Sequence, residues 1–191
     1  MNTFIDILEK HNLQIHKYKK GETISLEGDM CQCIRVLKSG QIIISSITKS
    51  GQEIIYKKLG SGDMFGNNLL FSNNPFYRGD ILCLEDSLIY ELDKNSFLDL
   101  LQKDRNFAEL FLRYQSEDSK RLNQQIKIAS LQTVEEKIFY LLQINNHNIK
   151  ISSVTDLSRQ LNISREATSR VLHSLIKDGK LKLTGNNLTD K

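Results

Sequence analysis

The sequence of 191 residues lacks the features of a secreted or membrane-spanning protein. No apolar run approaches the roughly 18 residues that a transmembrane helix needs, and no charged start followed by an apolar stretch suggests a signal peptide. Its three cysteines are an odd number without any secretory signal, which argues against a disulfide framework. We therefore expect a cytoplasmic protein with no membrane contact.

Motifs for catalysis and metal binding are missing as well. Cys31 and Cys33 are separated by a single residue, which is not a zinc-ligand spacing, and no second pair would complete a tetrahedral site. The four histidines show no ligand spacing, and no nucleophile elbow, P-loop or dinucleotide fingerprint occurs. We expect no enzymatic activity and no bound metal. Cys31, Cys33 and Cys83 are interpreted as small apolar core residues, with redox sensing as the alternative.

The positive charge of the chain lies in its C-terminal segment. Of the 26 Lys+Arg and 23 Asp+Glu residues, 9 and 6 lie in residues 132–191, which leaves 17 of each before them. The formal net charge of +3 therefore belongs to this segment. A small surplus of this sign is the direction expected for a domain that binds a polyanion.

From about residue 14 to residue 92, short runs rich in β-branched residues alternate with glycine-containing turns. The runs cover residues 23–26, 34–37, 41–47, 53–56 and 87–92. This spacing predicts a small antiparallel barrel or sandwich rather than βαβ units. A short helix is expected before it, over Met1 to Leu13.

Helical periodicity replaces this pattern from about Asp93. The first apolar residues of the segment are expected to pack on the β-rich domain; they are Phe97, Leu98, Leu100 and Leu101. A longer apolar series then runs from Phe107 to Leu131. Because residues 81–178 contain neither glycine nor proline, a long helix is expected there. Periodicity alone fits a packed surface helix.

Residues 153–176 are typical of a helix-turn-helix. Ser153 can cap the first helix while Asp156 reaches back to the backbone of the cap, which together make a capping box. Asn162 suits the left-handed backbone of a tight turn, and Ser164 can cap the second helix.

The second helix has two distinct faces at about 100° per residue. Its packing face comprises Ala167, Thr168, Val171, Leu172 and Leu175. Its other face comprises Arg165, Glu166, Ser169, Arg170 and His173. The forked or planar polar ends of that second group suit base edges in a major groove. A solvated amphipathic helix is the alternative interpretation, and the coincidence with two caps and a tight turn favours nucleic-acid binding.

The flanking segments add a helix and a hairpin. Thr133 and Glu136 form another potential capping box, which predicts the start of a helix before the helix-turn-helix. Short strands are expected at residues 149–151 and 180–183, and the turn at 184–187 would be the tip of a wing. Little further strand follows in the sequence, so an incomplete or disordered wing is one interpretation, and the sequence leaves the completeness of the wing open.

Residues 161–172 resemble the recognition segment of the cyclic-AMP receptor protein/Fnr superfamily of bacterial transcription regulators. Glycine-containing turns at residues 21–24, 28–29, 40 and 60–66 resemble the scaffold of the β-roll that binds cyclic nucleotides. The resemblance implies an α+β fold with a β-roll sensor domain over residues 1–102, a dimerisation helix over 103–131 and a winged helix-turn-helix over 132–191. It also implies a homodimer that binds double-stranded DNA and contacts RNA polymerase.

The same resemblance places the ligand pocket at Phe65, Gly66, Asn67, Tyr77 and Arg78. In cyclic-nucleotide binders of the superfamily, a Glu follows the Phe-Gly pair to hold the ribose, and an Arg-Ser pair holds the cyclic phosphate. Here Asn67 replaces the Glu, and an ungapped comparison puts Tyr77 and Arg78 where Arg and Ser would be. With a loop one residue longer, Arg78 would match the Arg, but Asp80 would then lie near the phosphate and repel it. Because phosphate binding needs donors and positive charge, cyclic AMP is not expected as the effector.

For DNA, the resemblance implies that Arg165, Glu166 and Arg170 read a TGTGA-type half-site, and Ser169 matches a position used by Fnr-like members. The remaining residues of the expected interface are Ser164, His173, Lys180 and Lys182. The alternative function is a small-molecule or redox sensor that acts through protein contacts, with the C-terminal module as an interaction surface.

Overall fold

The computed structural model describes residues 3–11 and 13–190. Met1, Asn2 and Asn12, which belong to the predicted leading helix, lie outside the described residues. The chain divides into two compact units, Met1–Tyr114 and Gln115–Lys191. The domain boundaries expected at residues 102 and 131 stay predictions.

The first unit is built from eight described strands and the helices around them. In chain order its elements are α1 (Phe4–Lys10), β1 (Ile15–Tyr18), β2 (Thr23–Ser25), β3 (Cys33–Ser39), β4 (Ile42–Ile47), β5 (Glu53–Leu59), β6 (Met64–Phe65), β7 (Asp80–Cys83), β8 (Ser87–Asp93) and α2 (Lys94–Lys103). The long helix α3 (Arg105–Ser130) begins in this unit and ends in the next. All five predicted strands are present, and the predicted helix after Asp93 is α2.

These strands form two four-stranded antiparallel sheets, with orders β1-β8-β3-β6 and β2-β7-β4-β5. The prediction of an antiparallel barrel or sandwich is therefore confirmed. Three strands were not predicted. β1 has the mixed sequence Ile-His-Lys-Tyr, β6 has only two residues, and β7 begins with an aspartate, so none carries a clear two-residue alternation.

One helix prediction was partly wrong. Phe97 and Leu100 of α2 are buried in the core of the first unit, and Leu101 is half-buried against it, whereas Leu98 is 45% exposed. A helix turns about 100° per residue, so Leu98 lies beside the buried stripe that Phe97 begins.

The apolar series of α3 serves two different cores rather than one seam. Phe107 is buried in the first unit, where its ring lies 5.6 Å from that of Phe97. Ile128 is buried in the core of the second unit. Between them, Leu122 and Ile126 are 49% and 67% exposed. Ile128 is therefore not available to a dimer interface, because the protein's own second core covers it.

The second unit contains three helices and a small sheet. Its elements after α3 are α4 (Val134–Ile144), β9 (Asn148–Lys150), α5 (Val154–Leu161), α6 (Arg165–Lys177), β10 (Leu181–Thr184) and β11 (Asn187–Asp190). The three strands pair in the order β10-β11-β9. The expected wing is a paired hairpin, because β10 and β11 pair along their whole length. Among the described residues, no helix combines the length and apolar composition needed to cross a bilayer.

Candidate nucleic-acid interface and effector pocket

One side-chain cap fixes the start of each helix of the helix-turn-helix. Ser153 caps α5, because its hydroxyl accepts the N–H of Asp156 at 3.1 Å. The predicted capping box is incomplete, since the Asp156 carboxylate accepts from the N–H of Ser152 at 3.3 Å. By contrast, Thr133 and Glu136 at the start of α4 make both bonds of a box. The backbone at the two caps differs, with φ −165° at Ser153 and −106° at Thr133.

The turn between α5 and α6 follows the prediction. Asn162 adopts the left-handed conformation with φ 54° and ψ 49°. The N–H of Ile163 donates to the carbonyl of Ser158 at 3.0 Å, which satisfies the end of α5. Ser164 then caps α6, its hydroxyl accepting from the N–H of Ala167 at 3.3 Å. The local sequence therefore sets the geometry of the motif.

The two faces of α6 are separated as predicted. Thr168, Leu172 and Leu175 are buried, and the Thr168 hydroxyl donates to the carbonyl of Ser164 at 3.0 Å. All five residues of the predicted reading face are exposed: Arg165, Glu166, Ser169, Arg170 and His173. Within residues 3–11 and 13–190, none of these five side chains takes part in a hydrogen bond or an ion pair. The reading face is thus available to a partner.

The two wing lysines differ in their surroundings. Lys180 lies just before β10, and its Nζ is 2.9 Å from Oε1 of Glu135. The hydrogen bond to this carboxylate raises the pKa of Lys180. Lys182 lies on β10, opposite Thr189, and its side chain is exposed. A phosphate would therefore have to compete with Glu135 for Lys180, but not for Lys182.

The predicted pocket residues do not all come together. Phe65, Gly66 and Tyr77 are buried close to one another in the first unit. Asn67, which follows Gly66 in the sequence, is half-buried, and Arg78 is exposed. Gly66 has φ 80°, and a Cβ there would lie 2.7 Å from the carbonyl oxygen of Cys33 and 3.5 Å from the Tyr77 hydroxyl. Only glycine fits this close approach.

A charged pair beside this turn was not predicted. The guanidinium of Arg35 on β3 donates from Nε to Oε1 of Glu91 on β8 at 2.7 Å, and from Nη1 to the hydroxyls of Tyr77 at 3.0 Å and Ser25 at 3.2 Å. Tyr18 donates to the same Glu91 oxygen at 3.0 Å. We call Tyr18, Ser25, Arg35, Tyr77 and Glu91 the inter-sheet polar cluster, because Ser25 belongs to one sheet and Arg35 and Glu91 to the other.

The sequence carried a signal for this cluster. Arg35 interrupts the apolar run Ile34-Val36-Leu37, and Glu91 lies between the buried residues Tyr90 and Leu92. A charged residue in an otherwise apolar strand is expected to pair with another charge when the strand is buried. The partner could not be identified from sequence, because the two residues are 56 positions apart.

The electrostatics of the cluster keep it neutral overall. Burial acts to raise the pKa of Glu91, but the hydrogen bond and charge of Arg35 outweigh it, and the pKa lies below its ordinary value. Burial raises the pKa of Tyr18 to about 12 and also raises the pKa of Tyr77. At neutral pH the cluster therefore holds one cation, one anion and two neutral phenols.

Comparison with known proteins agrees with this architecture. Residues 15–104 match the cyclic nucleotide-binding domain family. Over 178 residues the chain is 26% identical to the cyclic AMP receptor protein of Thermus thermophilus, a match that covers 87% of this chain and 78% of that protein. These matches support the assignment of the chain to the cyclic-AMP receptor protein/Fnr superfamily. They agree with the resemblance found in the sequence, and the structure has the expected N-terminal β-roll, long helix and C-terminal winged helix-turn-helix.

Other members of the superfamily show similar agreement. The chain is 25% identical over 183 residues to the fumarate and nitrate reduction regulatory protein of Escherichia coli, covering 90% of this chain and 72% of that protein. An OCPA complex of a CprK variant has the same fold, with a TM-score of 0.72, 13% identity and coverage of 98% of this chain and 90% of that one.

Among the described residues, no group of three or more His, Cys, Asp or Glu is placed to hold a metal ion.

Proposed function

We propose that this superfamily member is a homodimeric transcription regulator that binds a palindrome of two TGTGA-like half-sites, one through each copy of α6. The observation that carries the proposal is the exposed face of α6, where five polar side chains have no partner within the described chain while the opposite face is buried. The functional division into residues 1–102, 103–131 and 132–191 is part of this proposal.

The chemistry of the reading face suits base edges. The guanidinium groups of Arg165 and Arg170 each present a fork of donors that matches the O6 and N7 acceptors of guanine. The carboxylate of Glu166 accepts from the N4 amino group of cytosine. A protein-binding helix would favour aromatic or methionine anchors, and the exposed face of α6 contains neither. The alternative of a sensor acting only through protein contacts is therefore less well supported.

The exposed part of α3 supports dimer formation. Leu122 and Ile126 are exposed large apolar residues one helical turn apart. Ser119, Leu122, Ile126 and Ala129 follow one another at intervals of three, four and three positions, which is the a/d spacing of a coiled coil, and one small residue flanks the two large ones on each side. A second copy of α3 packed on this face would bury both apolar side chains and place two copies of α6 for two half-sites.

The proposal also covers the effector and the contact with RNA polymerase. We expect no activation by cyclic AMP, because Asn67 and Tyr77 replace the superfamily's ribose and phosphate ligands and the inter-sheet polar cluster has no surplus positive charge. RNA polymerase is expected as a further partner on the superfamily resemblance alone.

Selection from random DNA tests the proposal. The purified protein should enrich a palindrome whose half-site centres lie about one helical turn apart. The Arg170→Ala variant should lose its preference at one base pair of each half-site, while Arg78→Ala, which removes an exposed arginine of the β-roll, should enrich the original palindrome. Enrichment of no palindrome by the unmodified protein would refute the assignment.

A further inference from the structure

We propose that Tyr77 acts as a built-in ligand of the sensor domain, joining the Phe65–Gly66 turn to Arg35, so that this regulator binds its DNA without a small-molecule effector. The DNA-binding half of this inference rests on the proposed function. The part of the inference that concerns Tyr77 depends only on the contacts of this side chain inside the β-roll.

The inter-sheet polar cluster lies between the two sheets. Arg35 is paired directly with Glu91 across β3 and β8, so their side chains leave the same face of that sheet. The Arg35 guanidinium reaches Ser25 on β2, a strand of the other sheet. The space between the sheets beside the Phe65–Gly66 turn, where the superfamily resemblance placed a ligand, therefore contains the protein's own polar groups.

Tyr77 is the group that closes this space. Its side chain is 6% exposed and packs with Phe65 and Cys31 in the core of the first unit. Its hydroxyl accepts from Arg35 at 3.0 Å. The same hydroxyl lies 3.5 Å from the position that a Cβ of Gly66 would take. One phenol thus lies beside the turn and accepts a hydrogen bond from the charged pair, and it fills the position beside Gly66 that an effector would need.

The hydrogen bonds of the cluster are completed within the chain. Arg35 donates to Glu91, Ser25 and Tyr77, and Glu91 also accepts from Tyr18. Among the described residues, the hydroxyl of Tyr90 is the one buried side-chain polar atom without a partner. Tyr90 neighbours Glu91 on β8 and therefore points to the opposite face of the sheet. No buried group of the cluster awaits a ligand atom.

The charge balance argues in the same direction. Arg35 is compensated by Glu91, so an anionic ligand would meet a neutral site that already holds a carboxylate. A neutral ligand would have to displace the Tyr77 phenol, because that side chain occupies the place beside Gly66. Either route would replace interactions that the chain already makes within itself, and this supports effector-independent DNA binding.

The first experiment removes any co-purified small molecule. The protein is unfolded in urea, dialysed and refolded, and its affinity for the selected palindrome is measured by fluorescence anisotropy. We expect the Kd of refolded and native protein to agree within about twofold, a difference of about 0.4 kcal/mol. A refolded protein that binds DNA only after a native extract is added would overturn the inference. If neither preparation binds DNA, the proposed function fails, and the second experiment still tests the role of Tyr77.

The second experiment replaces the side chain of Tyr77 with added phenol. Tyr77→Ala leaves a space of the size of phenol, and we expect a lower melting temperature that millimolar phenol raises again while equimolar benzene, which lacks the hydroxyl, raises it less. DNA affinity should fall by about tenfold and return with phenol. Tyr56→Ala removes a tyrosine that is 52% exposed and is the matched control, for which phenol should change nothing.

A conservative variant covers the case in which Tyr77→Ala does not fold. Tyr77→Phe keeps the buried ring and removes only the hydroxyl that accepts from Arg35. We expect weaker DNA binding than in the control Tyr56→Phe, whose hydroxyl bonds only to Ser46 among the described residues. The inference is overturned if Tyr77→Phe binds DNA and melts like the unmodified protein, or if phenol has no effect on a folded Tyr77→Ala.

Discussion

Removing the charge of Glu91 is expected to destabilise the β-roll far more than removing an exposed charge. The Arg35 and Glu91 side chains are 13% and 20% exposed, and their closest atoms are 2.7 Å apart. For charge centres roughly 4 Å apart and an effective dielectric constant of about 20, the Coulomb energy is about 4 kcal/mol. Glu91→Gln keeps the shape of the side chain but leaves Arg35 uncompensated between the sheets, so we expect a loss of about 3 kcal/mol in the free energy of unfolding.

The matched control is a pair of similar geometry at the surface. Lys103 and Asp99 are 2.6 Å apart, but their side chains are 69% and 61% exposed. Asp99→Asn should therefore cost less than about 1 kcal/mol. A second control, the double variant Arg35→Met with Glu91→Leu, removes both charges and should be more stable than Glu91→Gln, because no buried charge is left without a partner.

Urea unfolding followed by tyrosine fluorescence measures these differences. The protein has no tryptophan, and five of its six tyrosines lie in the first unit, so the signal reports mainly on the β-roll. If Glu91→Gln loses no more stability than Asp99→Asn, or if the double variant is as unstable as Glu91→Gln, then the Arg35–Glu91 pair does not stabilise the β-roll in this way.

Further predictions concern the pH dependence, the dimer, the effector and the wing. The pKa of Glu91 is lower in the folded protein than its usual 4.5, so its stabilising effect is present above pH 4.5 and is lost as the pH falls through the lower folded pKa. In Glu91→Gln, the free energy of unfolding in urea should therefore depend less on pH over this acidic range. Leu122→Glu with Ile126→Glu should give a monomer in sedimentation velocity at micromolar concentration, whereas Leu98→Glu, on an exposed site of α2, should leave the dimer intact; a dimer in the first variant contradicts the α3 interface. Calorimetry should detect no saturable micromolar binding of cyclic AMP and no gain in DNA affinity, and the reverse would show that the pocket tolerates the phosphate. Lys182→Ala should weaken binding to all sequences alike and reduce the salt slope by about 1, and a loss confined to one half-site sequence would count against a phosphate contact.

Local features of the fold were predictable because they depend on neighbouring residues. Ser153, Asn162 and Ser164 determine the start and end of α5 and the start of α6 through bonds that span three to five positions, and the burial of Leu172 and Leu175 follows from helical spacing. The strand runs around Ile34 and Ile43 were visible for a similar reason, since β-branched residues favour extended backbone.

Features that depend on distant contacts were not predictable. The apolar residues of α3 have one periodicity, but Phe107 and Ile128 pack into different units, and only the structure shows which of them stay exposed. Arg35 and Glu91 come together because β3 and β8 are neighbours in a sheet, a fact of topology that no short-range pattern contains. Lys180 similarly pairs with Glu135, 45 positions away.

Base reading by α6 is best tested with a double-mutant cycle. DNA affinities are measured for the unmodified protein and Arg170→Ala, each on the selected palindrome and on palindromes with one guanine of each half-site replaced. We expect a coupling of about 1–3 kcal/mol between Arg170 and one particular guanine, and none with the others. Additive effects at every position, with a coupling below about 0.5 kcal/mol throughout, would contradict it.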